Sequence, residues 1–341
     1  MTLTACPKSM TFGPCGGVNE DSSCEVDPAP CVFLSRHLPV SWSEPATAAT
    51  PNAATAAAKE VGRIMRRRPL VVTGFPVRAM TSCDVPRVAD VLRGRADVVL
   101  SGDAGTSRTQ FPPSYRAFLM AQAGVRVWMG VNARDRNRAA LDREMLSLQE
   151  IGIAGIHCVT GDHTFTGDRP DARAVFDLES TTMLSRARSL GLLTSFAESP
   201  AAPPIEKRGA RVREKQRAGG QMCWPQYCGD VSDVEAFIAT CGDAGADVPV
   251  LPGVPLVVDR EGAILLASFH AAKLPTGFIS RLLNAKDVRA EGVRAAVEYG
   301  ESLLTAAGVG GVVIAGGTRH GDELAYAADL ATVAEALGGG S

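Results

Sequence analysis

Eight times between Leu70 and Gly316 the sequence sets down a short, largely apolar run, mostly rich in β-branched residues and in most cases followed by a longer segment of helical periodicity. No other feature limits the fold as tightly. The predicted strands are LVVTGF at 70–75, DVVLS at 97–101, VWMGV at 127–131, GIHCVTG at 155–161, LLTSFAE at 192–198, QMCWPQ at 221–226, VPVLPG at 248–253 and GVVIAG at 311–316. Helical patterns such as 135–150 and 233–241 lie between them. Alternation of this kind builds a parallel sheet, because a parallel neighbour is reached only through a crossover segment. Eight units in about 250 residues match a closed (β/α)8 barrel better than a doubly wound sheet. No GxGxxG follows the first run, which argues further against a dinucleotide fold. The predicted fold class is therefore α/β, a (β/α)8 TIM barrel.

The chain has 341 residues, 45% of them hydrophobic and 21% charged, with a formal net charge of −2. A chain of this length and apolar content can bury a large core, and its balanced charge gives no electrostatic case for nucleic acid. No run of 18 apolar residues suggests a membrane span. The start lacks a basic stretch followed by an apolar one, so a cytoplasmic enzyme is expected.

Ahead of the barrel the pattern changes. Residues 1–43 are rich in Cys, Gly, Pro and Ser and too poor in apolar residues to order themselves without a crosslink. Residues 44–68 read as a linker and lead-in helix, and 69–341 as the barrel. Four of the nine cysteines, Cys6, Cys15, Cys24 and Cys31, fall in the first segment, separated by eight, eight and six residues. A reducing compartment disfavours disulfides, and four thiolates make a complete ligand set for zinc or for a 4Fe-4S cluster. Nearby glycines would let backbone N–H groups approach the sulfurs. Cys158 and Cys223, inside predicted strands, read as small apolar residues.

In such a barrel, chemistry sits where strands end and βα loops begin. The polar residues there are Thr73, Ser101, Asp103, Asn132, Asp162, His163, Glu198, Gln226, Thr318 and Arg319. Some of these need only cap helices, and a lone loop histidine such as His163 is usually exposed. GGTRHGD at 316–322, which contains Arg319, has the composition of a glycine-rich anion loop at the place where many barrels bind phosphate.

The block CPKSMTFGPCGG, with CEVDP and PCVF after it, resembles the cysteine-rich module associated with methylenetetrahydrofolate reductases, found either fused or as a separate subunit. The barrel is similar to the catalytic domain of the same reductases, through FPVR, ADVVLSGDAGTSRT, EIGIAGIHCVTGD and REKQRAGGQMCWPQYCGD. The resemblance implies a flavin, FAD or FMN, at the barrel mouth, NAD(P)H as electron donor, and hydride transfer between methylenetetrahydrofolate and methyltetrahydrofolate. It implies further that Asp162 lies near flavin and folate, that Gln226 contacts the pterin and that Lys215 pairs with the flavin phosphates.

The departures from the family pattern are as informative. The family's acid glutamate aligns with Thr73, an arginine with Thr160, a tyrosine region with the segment carrying Glu198, and an aspartate of the flavin-binding helix with Arg208. Threonine is no proton donor of the required strength. Glu198 and Asp103, with Asp162, are therefore the candidate catalytic carboxylates. Gln226, Asp162 and Thr73 are the candidate substrate contacts, and Lys215, Thr160, Asp162 and Arg319 the candidate cofactor contacts. The expected activity is that of a folate oxidoreductase, with or without flavin. The alternative is a non-catalytic folate- or flavin-binding subunit whose thiolate centre relays electrons to a redox partner protein. Either form is compatible with a homo-oligomer.

Overall fold

The computed structural model describes residues 6–35, 38–44, 52–76, 80–102, 107–268, 272–317 and 321–340. Its frame is eight parallel strands: β1 Leu70–Gly74, β2 Val98–Ser101, β3 Val127–Asn132, β4 Gly155–Val159, β5 Leu193–Glu198, β6 Met222–Pro225, β7 Gly253–Val257 and β8 Gly311–Gly317. The sheet runs β6-β5-β4-β3-β2-β1-β8-β7. Val250 closes the circle, bridging Cys223 on one side and Val309 on the other. The predicted barrel is thus present.

Twelve α-helices accompany the strands: α1 Val32–Ser35, α2 Ala56–Met65, α3 Asp84–Leu92, α4 Pro113–Gln122, α5 Arg138–Ile151, α6 Ser180–Ser189, α7 Arg208–Arg217, α8 Val231–Asp243, α9 Arg260–Ala267, α10 Phe278–Asn284, α11 Val288–Leu304 and α12 Glu323–Ala336. None of the described helices is long and apolar enough to cross a membrane. Their ends follow local chemistry. Thr55 caps α2 by accepting the Ala58 N–H at 3.0 Å, Asn137 caps α5 through Ala140, and Gly152 ends α5 in the left-handed region at φ 84°.

One expected strand is displaced. The run VPVLPG at 248–253 forms only the Val250 bridges, and the ladder begins at Gly253 and continues through Val257. Pro249 and Pro252 flank Val250 and lack the N–H that a central strand must donate.

Two apolar layers result from strand alternation. Val72, Val98, Trp128, Met222, Trp224 and Val313 point into the barrel, which Val61 and Ile64 of α2 plug from below. Val71, Val99, Val127, Phe196 and Val312 point outward beneath the helices. The indole of Trp128 lies across Gly155, where a Cβ would sit 2.6 Å from its ring and 2.7 Å from the Leu193 carbonyl oxygen. The filled lower barrel confines any ligand to its upper end.

Candidate functional site

The cysteine-rich segment folds back over the carboxyl ends of the strands, and together they enclose a cavity of about 420 Å³. The floor comes from the barrel, with Asn132, His157 and Ala197, and Gln226 stands at its rim. The cover contributes Lys8, Met10, Cys15, Gly16, Gly17 and Glu25. The grip between the two parts is polar and specific. Glu179, just before α6, accepts the N–H groups of Thr11 and Phe12 at 2.6 and 3.0 Å. From α7, Arg208 donates to the carbonyls of Pro14 and Cys15 at 3.4 and 3.2 Å, Arg211 donates to the Phe12 carbonyl, and Glu214 accepts the Trp42 N–H at 2.6 Å. Glycine suits the docking face: a Cβ at Gly13 would meet the Arg211 side chain and at Gly16 that of Ser199.

Beneath the cover lies a buried charge cluster. Glu198 pairs with Arg208 at 3.0 Å and with Lys215 at 2.8 Å, all three at most 6% exposed. Burial works to raise the Glu198 carboxyl, but Lys215, Arg208 and Arg211 outweigh it and hold it down at about 2. Glu198 is therefore a fixed anion and no proton donor, contrary to the expectation that it replaces the missing acid. Lys8 pairs with Glu25. Burial opposes the charge of its ammonium, but Cys15 and Glu25, with a smaller contribution from Asp162, raise it above its ordinary value.

Asp162 borders the cavity from an exposed position just beyond β4. Gln226 borders it beyond β6, its Oε1 accepting the Tyr227 N–H at 3.0 Å and its backbone N–H donating to the Glu198 carbonyl at 2.8 Å. Thr160 lies on the wall and accepts the Ser180 N–H at 3.1 Å. Lys215 reaches the wall but is held by Glu198 and the Ala197 carbonyl. Thr73 is corrected outright: it is fully buried and turned away from the cavity, because the inward positions of β1 are Leu70, Val72 and Gly74. His163, expected to be exposed, is 7% exposed and packs on Phe165 and Phe176. Asp103, Thr318 and Arg319 lie outside the described residues.

Of the four N-terminal thiols, Cys6 and Cys31 each lie near enough to Cys15 and Cys24 to feel them electrostatically. Burial pushes the Cys6 and Cys31 thiols up, while the N–H groups of Met10 and Lys8 at Cys6, and of Phe33 at Cys31, pull them down. The Gly17 N–H donates to Cys15 Sγ at 3.4 Å. Thus Cys6, Cys15 and Cys31 each have the N–H two residues onward turned to the sulfur, a donor arrangement suited to thiolates. Among the described residues, however, no three His, Cys, Asp or Glu side chains stand in a group ready to hold one metal ion.

Residues 98–314, more than half of the chain, match the family described as methylenetetrahydrofolate reductase. The chain belongs to the methylenetetrahydrofolate reductase family. Residues 2–41 match a second family, described as methylene-tetrahydrofolate reductase C terminal. No curated protein matches the chain in sequence. Among solved structures it is similar to an uncharacterized protein from Clostridium thermocellum that binds two copies of 5-methyl-5,6,7,8-tetrahydrofolic acid. The identity is 12%, over 80% of this chain and 98% of that one, with a TM-score of 0.56. Tryptophan synthase from M. tuberculosis matches with 14% identity over 72% of this chain and 98% of that one, at a TM-score of 0.42. At 12% identity the first structure shows a likeness of fold and nothing more. The structure brings Asp162 and Gln226 to one cavity together with Lys8, His157 and Arg211, which sequence reading missed, as it missed Glu179. Only the alternation of β4 could have marked His157 as inward-facing; Lys8, Glu179 and Arg211 carried no signal.

Proposed function

We propose that this member of the family is a one-carbon folate oxidoreductase whose reduced pterin sits in the cavity between Asp162 and Gln226. The observation that carries this reading is the cavity at the barrel mouth, which joins those two side chains on one rim. A carboxylate and an amide together offer the donors and acceptors that read a pterin edge. The folate ligand named for the Clostridium thermocellum structure is consistent with such an occupant.

The flavin implied by the family does not fit this site. The lysine position assigned to flavin phosphates is Lys215, which is buried against Glu198. The helix that would receive the flavin grips the N-terminal module through Arg208 and Arg211. We therefore route no step through flavin. On this reading hydride passes from a reduced nicotinamide to the methylene carbon of methylenetetrahydrofolate, forming the C–H bond of the methyl group as the carbon–nitrogen bond to N10 breaks and N10 takes a proton. With Thr73 turned away, Glu198 fixed as an anion and Glu25 paired with Lys8, Asp162 is the carboxylate we assign to orient the pterin and handle that proton.

Cys6, Cys15, Cys24 and Cys31 would hold the zinc ion or 4Fe-4S cluster; the N–H groups turned to Cys6, Cys15 and Cys31 support thiolate ligands, although the described side chains do not stand as a formed metal group. Bound there, zinc would staple the cover, whereas a cluster would also carry electrons. Because Cys15 borders the cavity, an electron-relay subunit is the second reading. Turnover of methylenetetrahydrofolate with reduced nicotinamide, in protein shown by absorbance to lack flavin, supports the enzyme. Folate binding without turnover by any donor favours the relay. Gln226→Ala should weaken 5-methyltetrahydrofolate binding about tenfold by titration calorimetry, and unchanged affinity would remove the pterin assignment.

A further inference from the structure

The barrel floor carries a polar relay that the family pattern does not account for. His157 of β4 borders the cavity, and its Nδ1 lies 2.9 Å from Ser195 Oγ on β5. Ser195 Oγ in turn lies 2.9 Å from the indole nitrogen of Trp128 on β3. Trp128 and Ser195 are fully buried. The face of the imidazole rests on Trp224 of β6, ring centroids 5.2 Å apart and planes 16° from parallel.

Hydrogen-bond arithmetic points to one arrangement, because the alternative would leave the buried serine proton without a described acceptor. An indole nitrogen only donates, so Trp128 fills one acceptor position of Ser195. The serine has a single proton to give, and the partner the structure offers it is His157 Nδ1. Nδ1 is then the acceptor, and a neutral imidazole must carry its proton on Nε2, the nitrogen left for the cavity. Burial, reinforced by the charge of Lys215, lowers His157 to about 3, in keeping with a neutral ring.

We propose that His157 is a ligand-contacting residue that donates its Nε2–H to a carbonyl oxygen or unprotonated ring nitrogen at the inner end of the bound heterocycle. Ser195 and Trp128 are positioning residues that hold the tautomer, and Trp224 holds the ring plane. Gln226 follows Trp224 by two residues on the same strand direction, so its amide and the imidazole address one ligand from the rim and from the floor. The identity of that ligand as a reduced folate rests on the function proposed above; the tautomer and its direction do not.

The test is nitrogen NMR of the histidine side chains in the full-length chain, titrated with 5-methyltetrahydrofolate. The chain has five histidines, and the His157 signals are assigned by their loss in His157→Phe. The proposal expects a neutral ring with the proton on Nε2 and a shift of that nitrogen on ligand addition. An Nδ1–H tautomer, or an Nε2 untouched by a ligand that binds, overturns it. In calorimetry, His157→Gln, whose amide nitrogen reaches the Nε2 position, should keep affinity within about threefold. His157→Phe should lose about tenfold or more, the consequence of burying a ligand acceptor without its donor. Ser195→Ala should fall between them and mix the two tautomers, a change that loss of packing alone would not produce. Should His157→Phe bind as tightly as wild type, the contact is absent. If the wild-type protein fails to bind 5-methyltetrahydrofolate at all, the folate reading falls, and the tautomer alone decides whether the floor presents a donor.

Discussion

Glu198 is 4% exposed and lies between a guanidinium and an ammonium that are equally hidden. Removing one member of such a cluster leaves its partners charged in a poorly hydrated place, so Glu198→Gln should cost about 3–5 kcal/mol of unfolding free energy, measurable by urea denaturation. The sign with pH follows from the depressed carboxyl. Its stabilising contribution is complete above its ordinary value of 4.5 and is lost as pH falls from there toward about 2. The gap between wild type and Glu198→Gln should therefore stay constant from pH 7 to about pH 5 and narrow below. A gap that widened on acidification would show that the carboxyl is not held ionised. The same residue marks what a sequence conceals. Its position at a strand end was legible, but its two buried partners come from a helix ten and seventeen residues further along. Thr73 illustrates the opposite error, because matching a family position along the chain ignores which way the side chain faces. Strand alternation, readable in LVVTG, decides that.

At the scale of elements, the strands were legible wherever β-branched residues run unbroken, and β7 was misplaced where two prolines interrupt the apolar pattern. The helix ends were less legible: the patterns at 135–150 and 233–241 start three residues before α5 and two residues inside α8. What could not be read was the seat of the cysteine-rich segment, since its contacts span more than 160 residues of sequence and use backbone groups on one side. Those contacts predict that Glu179→Ala, by removing the acceptor of two N–H groups, frees the segment. Limited proteolysis should then cut within residues 1–43 at least several times faster than in wild type while leaving the barrel uncut. Equal cleavage rates would place the grip elsewhere, on Arg208 and Arg211.

For the molecule as a whole, the cavity exists only because two separately legible parts meet. Stripping the metal that we place on Cys6, Cys15, Cys24 and Cys31 should therefore act on the ligand as well as on the segment that carries it. Chelator treatment should lower 5-methyltetrahydrofolate affinity by about tenfold or more with little change in far-ultraviolet circular dichroism, because metal binding and folding of a small domain are one equilibrium. Metal analysis of untreated protein comes first: a sample without zinc or iron sinks the assignment.

The grip on the cover has one further consequence. Among the described residues it is made by side chains before α6 and along α7. The order of the two parts along the chain is then immaterial to their fit, and a family described as a C-terminal segment can match residues 2–41 without contradiction. What covalent joining supplies is a local concentration, on the order of millimolar for a short flexible tether. A cover of only micromolar intrinsic affinity would remain seated nearly all the time on its own barrel, and a free copy would have to reach comparable concentrations to displace it.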